Sequence, residues 1–547
     1  MNLAVAALAL LANWTLRCWA LDATTIDAVA RASSNSDELK PIVIPPSGYF
    51  EGNDGPWSTF DLRIGSPEQY VRVTVSTATS ESLVVQSEYG CSVSVFATVP
   101  VNCTNSRGKL FNPDTSTSWN ELGLFGLGFE ENLGYSQRAQ YGLESLGLGL
   151  TGPRLENQTV GVIATTQPFY LGVFGLHDQP INFSSLGNSS APSFLTSLKD
   201  HNNIPSLSWS YTAGARYRLK PEYGQLILSG YDTSRFAEEN TVTYGMTDDA
   251  NRQLIVYLQS INYSDGKSGS LGGNLLSTPI SISIDSTDPN LWLPNDVCNA
   301  FEQAFGLTTD QSTGLYLIND THHSSLVSQN TTITFALSNV SAGGQDLDIT
   351  FPYAAFDLIA ENPLVNSTSY YFPLKRAKTT TQFTLGRTFL QEAYLSADYE
   401  RRTFNVSACT WDESAEENIV TILPNDYQNN NGSSGPQGSS QNRGHRLNGG
   451  AIAGIIIGAI VVVSILTGLV FCYRPWVNRK KPSTHDNRSS SIIDGRYRKA
   501  ELSAEGNEIR VMRTYELDSV GKVHELSGES QPGELAGTSV SVELHGN

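Results

Sequence analysis

At 547 residues the chain is too long for one compact core, so two or more folded units are expected. Its 54 acidic residues against 35 basic ones give a net charge of −19, which excludes nucleic acid as a general partner. With 47 Gly, 23 Tyr and only 3 Met, the composition leans towards sheets and turns rather than a helical bundle.

Residues 1–20 read as a signal peptide. Leu3–Leu11 is an apolar run too short to span a bilayer, and small residues at Cys18 and Ala20 suit cleavage after Ala20. An N-terminal extension (21–54) precedes a β-rich stretch (55–409) in which apolar residues alternate: Val71, Val73 and Val75; Leu226 and Leu228; Ile280, Ile282 and Ile284. The segment 410–449 reads as a stalk, opening with Asp412, Glu413, Glu416 and Glu417 and too polar for a core. Residues 450–473 then hold a transmembrane helix. Its uncharged centre, Ala451–Phe471, is 21 residues long and reaches roughly 30 Å at about 1.5 Å per residue. Arg474, Arg479, Lys480 and Lys481 follow at once, which directs the C-terminus to the cytoplasm. The tail (474–547) is expected to be disordered. In it Glu-Leu recurs every nine residues (Glu516, Glu525, Glu534 and Glu543), a period that builds no amphipathic element and suits short motifs for cytoplasmic partners.

Two features fit an oxidising, lumenal or extracellular setting for the region before the span. N-x-S/T sequons occur there at Asn102, Asn157, Asn182, Asn188, Asn262, Asn319, Asn330, Asn339, Asn366, Asn405 and Asn431, which predicts N-glycosylation. Four cysteines, Cys91, Cys103, Cys298 and Cys409, remain there. Three connectivities are open, and the short spacing of Cys91 and Cys103 favours that pair with Cys298–Cys409 as the other.

The stretches VRVTVSTATSESLVV (71–85) and ISISIDSTDPNLWLP (280–294) share a plan: an alternating strand, small hydroxyl residues, then a second apolar run. Each is followed about a hundred residues later by a Gly-centred apolar segment, YLGVFGL (170–176) and FTLGRTFL (383–390), which reads as an internal duplication. Together with DLRIGSPEQYVRV, AQYG (139–142) and YGQLILSGYDTSRF (223–236), this order resembles the pepsin-like aspartic proteases, in particular membrane-anchored fungal-type members. The resemblance implies a mainly β, bilobal fold, with lobes at about 55–205 and 206–409, and a flap carrying Tyr141.

Proteolysis by this family takes two carboxylates sharing a proton, one to activate water and one to polarise the scissile carbonyl. The family writes each as Asp-Thr/Ser-Gly. The second lobe keeps Asp285-Ser286 with Thr287 in place of Gly; the first reads Ser76-Thr77-Ala78, so Ser76 stands where the resemblance expects the first Asp. Asp61 and Glu81 lie on the wrong parts of the strand and turn to replace it, and Asp288 reads as a solvated or capping residue. Thr77 and Ser286 retain the hydroxyls that brace the two loops. No GxSxG, HExxH or metal-spaced Cys pair occurs, the doublet His322-His323 reads as solvated, and no metal or cofactor is expected.

The sequence thus predicts a single-pass type I glycoprotein of the plasma or secretory-pathway membrane. Its ectodomain has lost peptidase chemistry and keeps its cleft for an extended peptide or a cell-wall ligand. The rival reading is an active aspartic endopeptidase. It gains nothing from residues 21–44, whose only basic residues are Arg31 and Lys40, where active members of the family carry a basic pro-segment. A sensor coupling the cleft to the tail is a third class.

Overall fold

The computed structural model describes residues 39–183, 189–264, 266, 269–412 and 414–425. Two large sheets and a joining sheet dominate this region, with three smaller sheets beside them. The first sheet orders its strands Pro46–Glu51, Trp57–Ile64, Gln69–Ser76, Gly172–Gly175, Ser82–Val85, Arg154–Ile163, Arg138–Leu148 and Asn120–Gly126, with Trp57–Ile64 also pairing Arg138–Leu148. The second centres on Ile255–Ser264, Ile280–Ile284, Thr384–Leu385 and Leu291–Leu293. A six-stranded sheet joins them, running from Ile42–Ile44 through Glu222–Leu228, Ser208–Ala215, Ala393–Asp398 and Thr403–Cys409 to Phe236–Gly245.

The duplication is carried by strand register. Gln69–Ser76 runs parallel to Gly172–Gly175, which runs antiparallel to Ser82–Val85; Ile280–Ile284 runs parallel to Thr384–Leu385, which runs antiparallel to Leu291–Leu293. Val75 faces Phe174 and Ile284 faces Leu385, so Phe174 is the counterpart of Leu385. Gly175 and Gly386 follow these two residues where the strand passes directly behind a loop. A Cβ on Gly175 would lie 2.4 Å from the Thr79 carbonyl, and one on Gly386 2.2 Å from the Asn290 carbonyl, so only glycine lets the backbones approach. Val71, Val73 and Val75, like Ile282 and Ile284, are buried in one core, as their alternation requires.

The folded unit is longer at both ends than the sequence predicts. Ile42–Ile44 pairs Leu226–Leu228, and Pro46–Glu51 pairs Trp57–Ile64, so much of the expected extension belongs to the sheets. Part of the expected stalk does too: Ile419–Thr421 pairs Gly230–Asp232, and Trp411 Nε1 donates to Glu392 at 2.8 Å. The polarity of 410–425 reflects an outer layer on the sheet. The expected signal peptide, transmembrane helix and tail lie outside the described residues, among which no helix is long and apolar enough to cross a membrane.

Cys91 and Cys103 form a disulfide, as expected. Cys298 and Cys409 do not pair. Cys298 lies in the helix Asn295–Phe305, its thiol against the Leu293 and Lys375 carbonyls, whereas Cys409 ends a strand of the joining sheet beside Thr212. The disulfide loop is anchored by Arg107, which is fully buried with its guanidinium directed at the carbonyls of Gly90, Ala164, Thr165, Phe169 and Tyr170. No carboxylate is among these partners, and burial lowers its pKa to about 10. Only a planar fork of five N–H donors serves so many acceptors at once. Arg107→Lys is therefore expected to lower stability by on the order of 3 kcal/mol, read as a fall in the midpoint of urea unfolding, because several buried carbonyls lose their donor.

Candidate active site

Two loops from the duplicated halves meet in the interior. Thr77 N–H donates to Ser286 Oγ at 3.0 Å, Ser286 N–H donates to Thr77 Oγ1 at 3.0 Å, and Ser286 Oγ donates to the Val75 carbonyl at 2.7 Å. All of these groups are buried, so each donor must find its acceptor within the protein, and the reciprocal pair satisfies both loops together. Thr77 and Ser286 are thus in contact as the sequence predicts. Ser76 and Asp285 sit beside them. Ser76 Oγ is 2.6 Å from Thr287 Oγ1, and Thr287 N–H donates to Asp285 Oδ1 at 2.8 Å. Behind the second loop, Arg387 donates to the Ser286 and Thr287 carbonyls at 2.8 and 2.7 Å and lies over the Trp57 ring.

The hairpin Asn120–Gly126/Arg138–Leu148 reaches over these loops, and its connection, 127–137, descends onto them. Glu130 is buried at its centre with φ of 57°, a left-handed conformation that is uncommon outside glycine. Its carboxyl faces the loop that carries Asp285 and Asp288. Burial, and then the Asp285 charge, hold Glu130 well above the usual carboxylate range; Asp288 adds to this and Arg252 opposes it. Beside it the Tyr135 hydroxyl donates to Asp288. Asn132 bridges to the other lobe twice, donating to the Thr381 carbonyl at 2.9 Å and accepting from Gln382 at 2.6 Å. Phe129 and Tyr135 pack on Phe169 at 5.7 Å each.

A cavity of about 580 Å³ opens alongside, lined in part by Asp54, Asp288, Tyr135, Tyr371, Lys375 and Arg387. Burial raises the Asp54 carboxyl against the pull of Arg387, and Trp57 Nε1 donates to it at 2.9 Å. Burial lowers the Lys375 ammonium, partly offset by Asp288.

The structure departs from the sequence-based site at several residues. Tyr141 is not at the hairpin tip. It lies on the returning strand, opposite Gly123 and Gly161, buried with its hydroxyl donating to Glu81. Asp288 is buried rather than solvated, accepting from Asn290 N–H at 2.6 Å and from Trp292 Nε1 at 3.2 Å. His323 is likewise engaged, 2.8 Å from Asp357 and stacked on Tyr370. Glu130 was not foreseen. Its only sequence signal is an acidic pair between Gly128 and Gly134 in the connection of a hairpin.

The match to known proteins agrees with this architecture. The family model described as "Eukaryotic aspartyl protease" matches residues 59–409. The chain belongs to the eukaryotic aspartyl protease family. It is 24% identical to Candidapepsin of Candida tropicalis over 365 residues, covering 66% of this chain and 82% of the relative. Against Secreted aspartic protease 8 of Candida albicans the identity is 23%, with 66% and 78% covered. Against the Probable aspartic-type endopeptidase opsB of Aspergillus oryzae (strain ATCC 42149 / RIB 40) it is 21%, with 66% and 70% covered. Among solved structures, the aspartic proteinase from Irpex lacteus is similar at 14% identity and a TM-score of 0.45, covering 69% of this chain and 99% of that one.

Burial raises the Glu81 carboxyl to about 8, although the Tyr141 hydroxyl bond pulls the other way. A carboxyl raised on folding adds stability that is complete below its unfolded value, about 4.5, and is lost as pH climbs through about 8. Comparing melting temperatures from pH 4 to 9, Glu81→Gln should flatten that part of the decline while still accepting the Tyr141 proton. An unchanged slope would mean that Glu81 is ionised in the fold.

Proposed function

We propose that this aspartyl protease family member is a membrane-anchored, glycosylated ectodomain that does not cleave peptides and uses its interlobe cleft to bind an extended peptide or wall component. The observation that carries the reading is Ser76. It faces the Asp285 loop with a hydroxyl engaged by Thr287 at 2.6 Å. A serine carries no charge at working pH and supplies neither the base nor the acid of a carboxylate pair.

The sequons support the extracellular setting. Asn102, Asn157, Asn182, Asn319, Asn330 and Asn366 are exposed, and Asn262, Asn339 and Asn405 are partly so. Asn188 and Asn431 lie outside the described residues. Anchoring rests on the apolar run Ala451–Phe471 and the basic cluster after it. Protease added to intact cells is expected to remove the ectodomain and to spare a tag placed after Asn547; loss of the tag would reverse the orientation.

The catalytic reading is tested by hydrolysis of a broad peptide library from pH 3 to 7, with a transition-state inhibitor of aspartic proteases as control. No inhibitor-sensitive cleavage is expected. Ser76→Asp alone should restore little, since the new carboxyl would meet the Thr287 side chain. Adding Ala78→Gly and Thr287→Gly makes room and has the better prospect. Inhibitor-sensitive cleavage by the unaltered protein would establish the endopeptidase reading instead.

A further inference from the structure

The cavity of about 580 Å³ beside the paired loops falls within the usual size of small-ligand pockets, about 300–1,000 Å³. Its wall combines aromatic rings with charges of both signs. Trp292 and Tyr135, each partly exposed, line it from the two halves of the domain. One carboxylate orients both rings. Trp292 Nε1 donates to Asp288 Oδ1 at 3.2 Å, and the Tyr135 hydroxyl donates to Asp288 Oδ2. Phe169 meets the Tyr135 ring edge-on, with centroids 5.7 Å apart. Asp288 Oδ1 also accepts from Asn290 N–H at 2.6 Å and Asn290 Nδ2 at 2.9 Å, so this carboxylate is taken up in fixing the wall.

Asp54 and Lys375 remain for a ligand. Both are partly exposed on the wall of the same cavity. Asp54 Oδ1 accepts from Trp57 Nε1 at 2.9 Å, and Lys375 donates to the Gly314 carbonyl at 3.0 Å. A carboxylate and an ammonium each have capacity beyond one such bond. Asp54 and Asp288 are matched by Lys375 and Arg387, so the cavity has no net formal charge. That balance disfavours an ionic guest. A lysine or arginine side chain would meet two cations along with the carboxylates, and an acidic one would meet two carboxylates along with the cations. An apolar side chain would take water from Asp54 and Lys375 and return no hydrogen bond.

A neutral ring with several hydroxyls meets none of these objections. Each hydroxyl both donates and accepts, so one donates to Asp54 and another accepts from Lys375. The C–H face of the ring then packs on an aromatic side chain.

We propose that this cavity binds a neutral hexopyranose of a glycan, with Asp54 and Lys375 as its polar contacts and Trp292 and Tyr135 as its apolar ones. The proposal rests on the reading of the cleft as a binding surface and names its ligand class. A wall polysaccharide and the N-linked glycan of a neighbouring glycoprotein both present such rings.

Calorimetric titration of the full-length protein tests this, in a detergent without a sugar headgroup and with the protein's own N-glycans trimmed. The probes are hexasaccharides of glucose, of mannose and of N-acetylglucosamine, a free high-mannose N-glycan, and a pool of random decapeptides. At least one saccharide should bind. A linear hexasaccharide that binds where the N-glycan does not points to a wall source, and the reverse to a glycoprotein. Asp54→Asn, which keeps an acceptor for Trp57, and Lys375→Met should each weaken that binding by about tenfold with an unchanged melting temperature. Trp292→Leu should weaken it further. Saccharide binding that survives all three substitutions would overturn the cavity as the site. Peptides that bind while no saccharide does would overturn the proposal and leave the binding cleft standing. No binding by any probe counts against both, and cleavage of the peptides counts against the non-catalytic reading alone.

Discussion

The reciprocal hydrogen bonds between Thr77 and Ser286 set the constraint under which the rest of the site is arranged. They hold two buried loops from opposite halves of the domain together. Whatever flanks each hydroxyl is then forced into the same enclosed space. A buried polar group without a partner costs about 1–3 kcal/mol, and an unpaired charge costs more. With Ser76 and Thr287 in that space, the two hydroxyls satisfy one another. Asp285 has no such neutral partner in the opposing loop. The Thr287 N–H serves it instead.

What was legible in the sequence follows from where the information is stored. The duplicated loops could be read because alternation and hydroxyls sit within fifteen residues of each other, in the same order in both halves, with a Gly-centred segment about a hundred residues after each. The ends could not. Ile42–Ile44 is three residues long, and its partner Leu226–Leu228 is far along the chain, so nothing near it marks a strand. Glu130 was hidden for the same reason: a glutamate in a polar turn looks solvated until the fold places Asp285 beneath it. Tyr141 shows the converse error. The tetrapeptide AQYG carries a tyrosine near a hairpin, but pairing with Gly161 turns that side chain inward to Glu81, and Phe125 on the first strand packs against it at 6.1 Å.

Counting cysteines misled in an instructive way. An even number in an oxidising compartment makes pairing the economical expectation, but a bond also requires the two Cβ atoms to lie within about 4.5 Å. Cys298 and Cys409 belong to different sheets' surroundings. Each thiol is accommodated as a small, weakly polar group: burial pushes Cys298 up to about 12 and raises Cys409 as well, leaving both protonated and poor nucleophiles. The second half of the domain is held by packing instead. Phe351, Phe356, Phe372 and Phe389 form a continuous aromatic contact there, with ring centroids 5.2–5.6 Å apart where they meet.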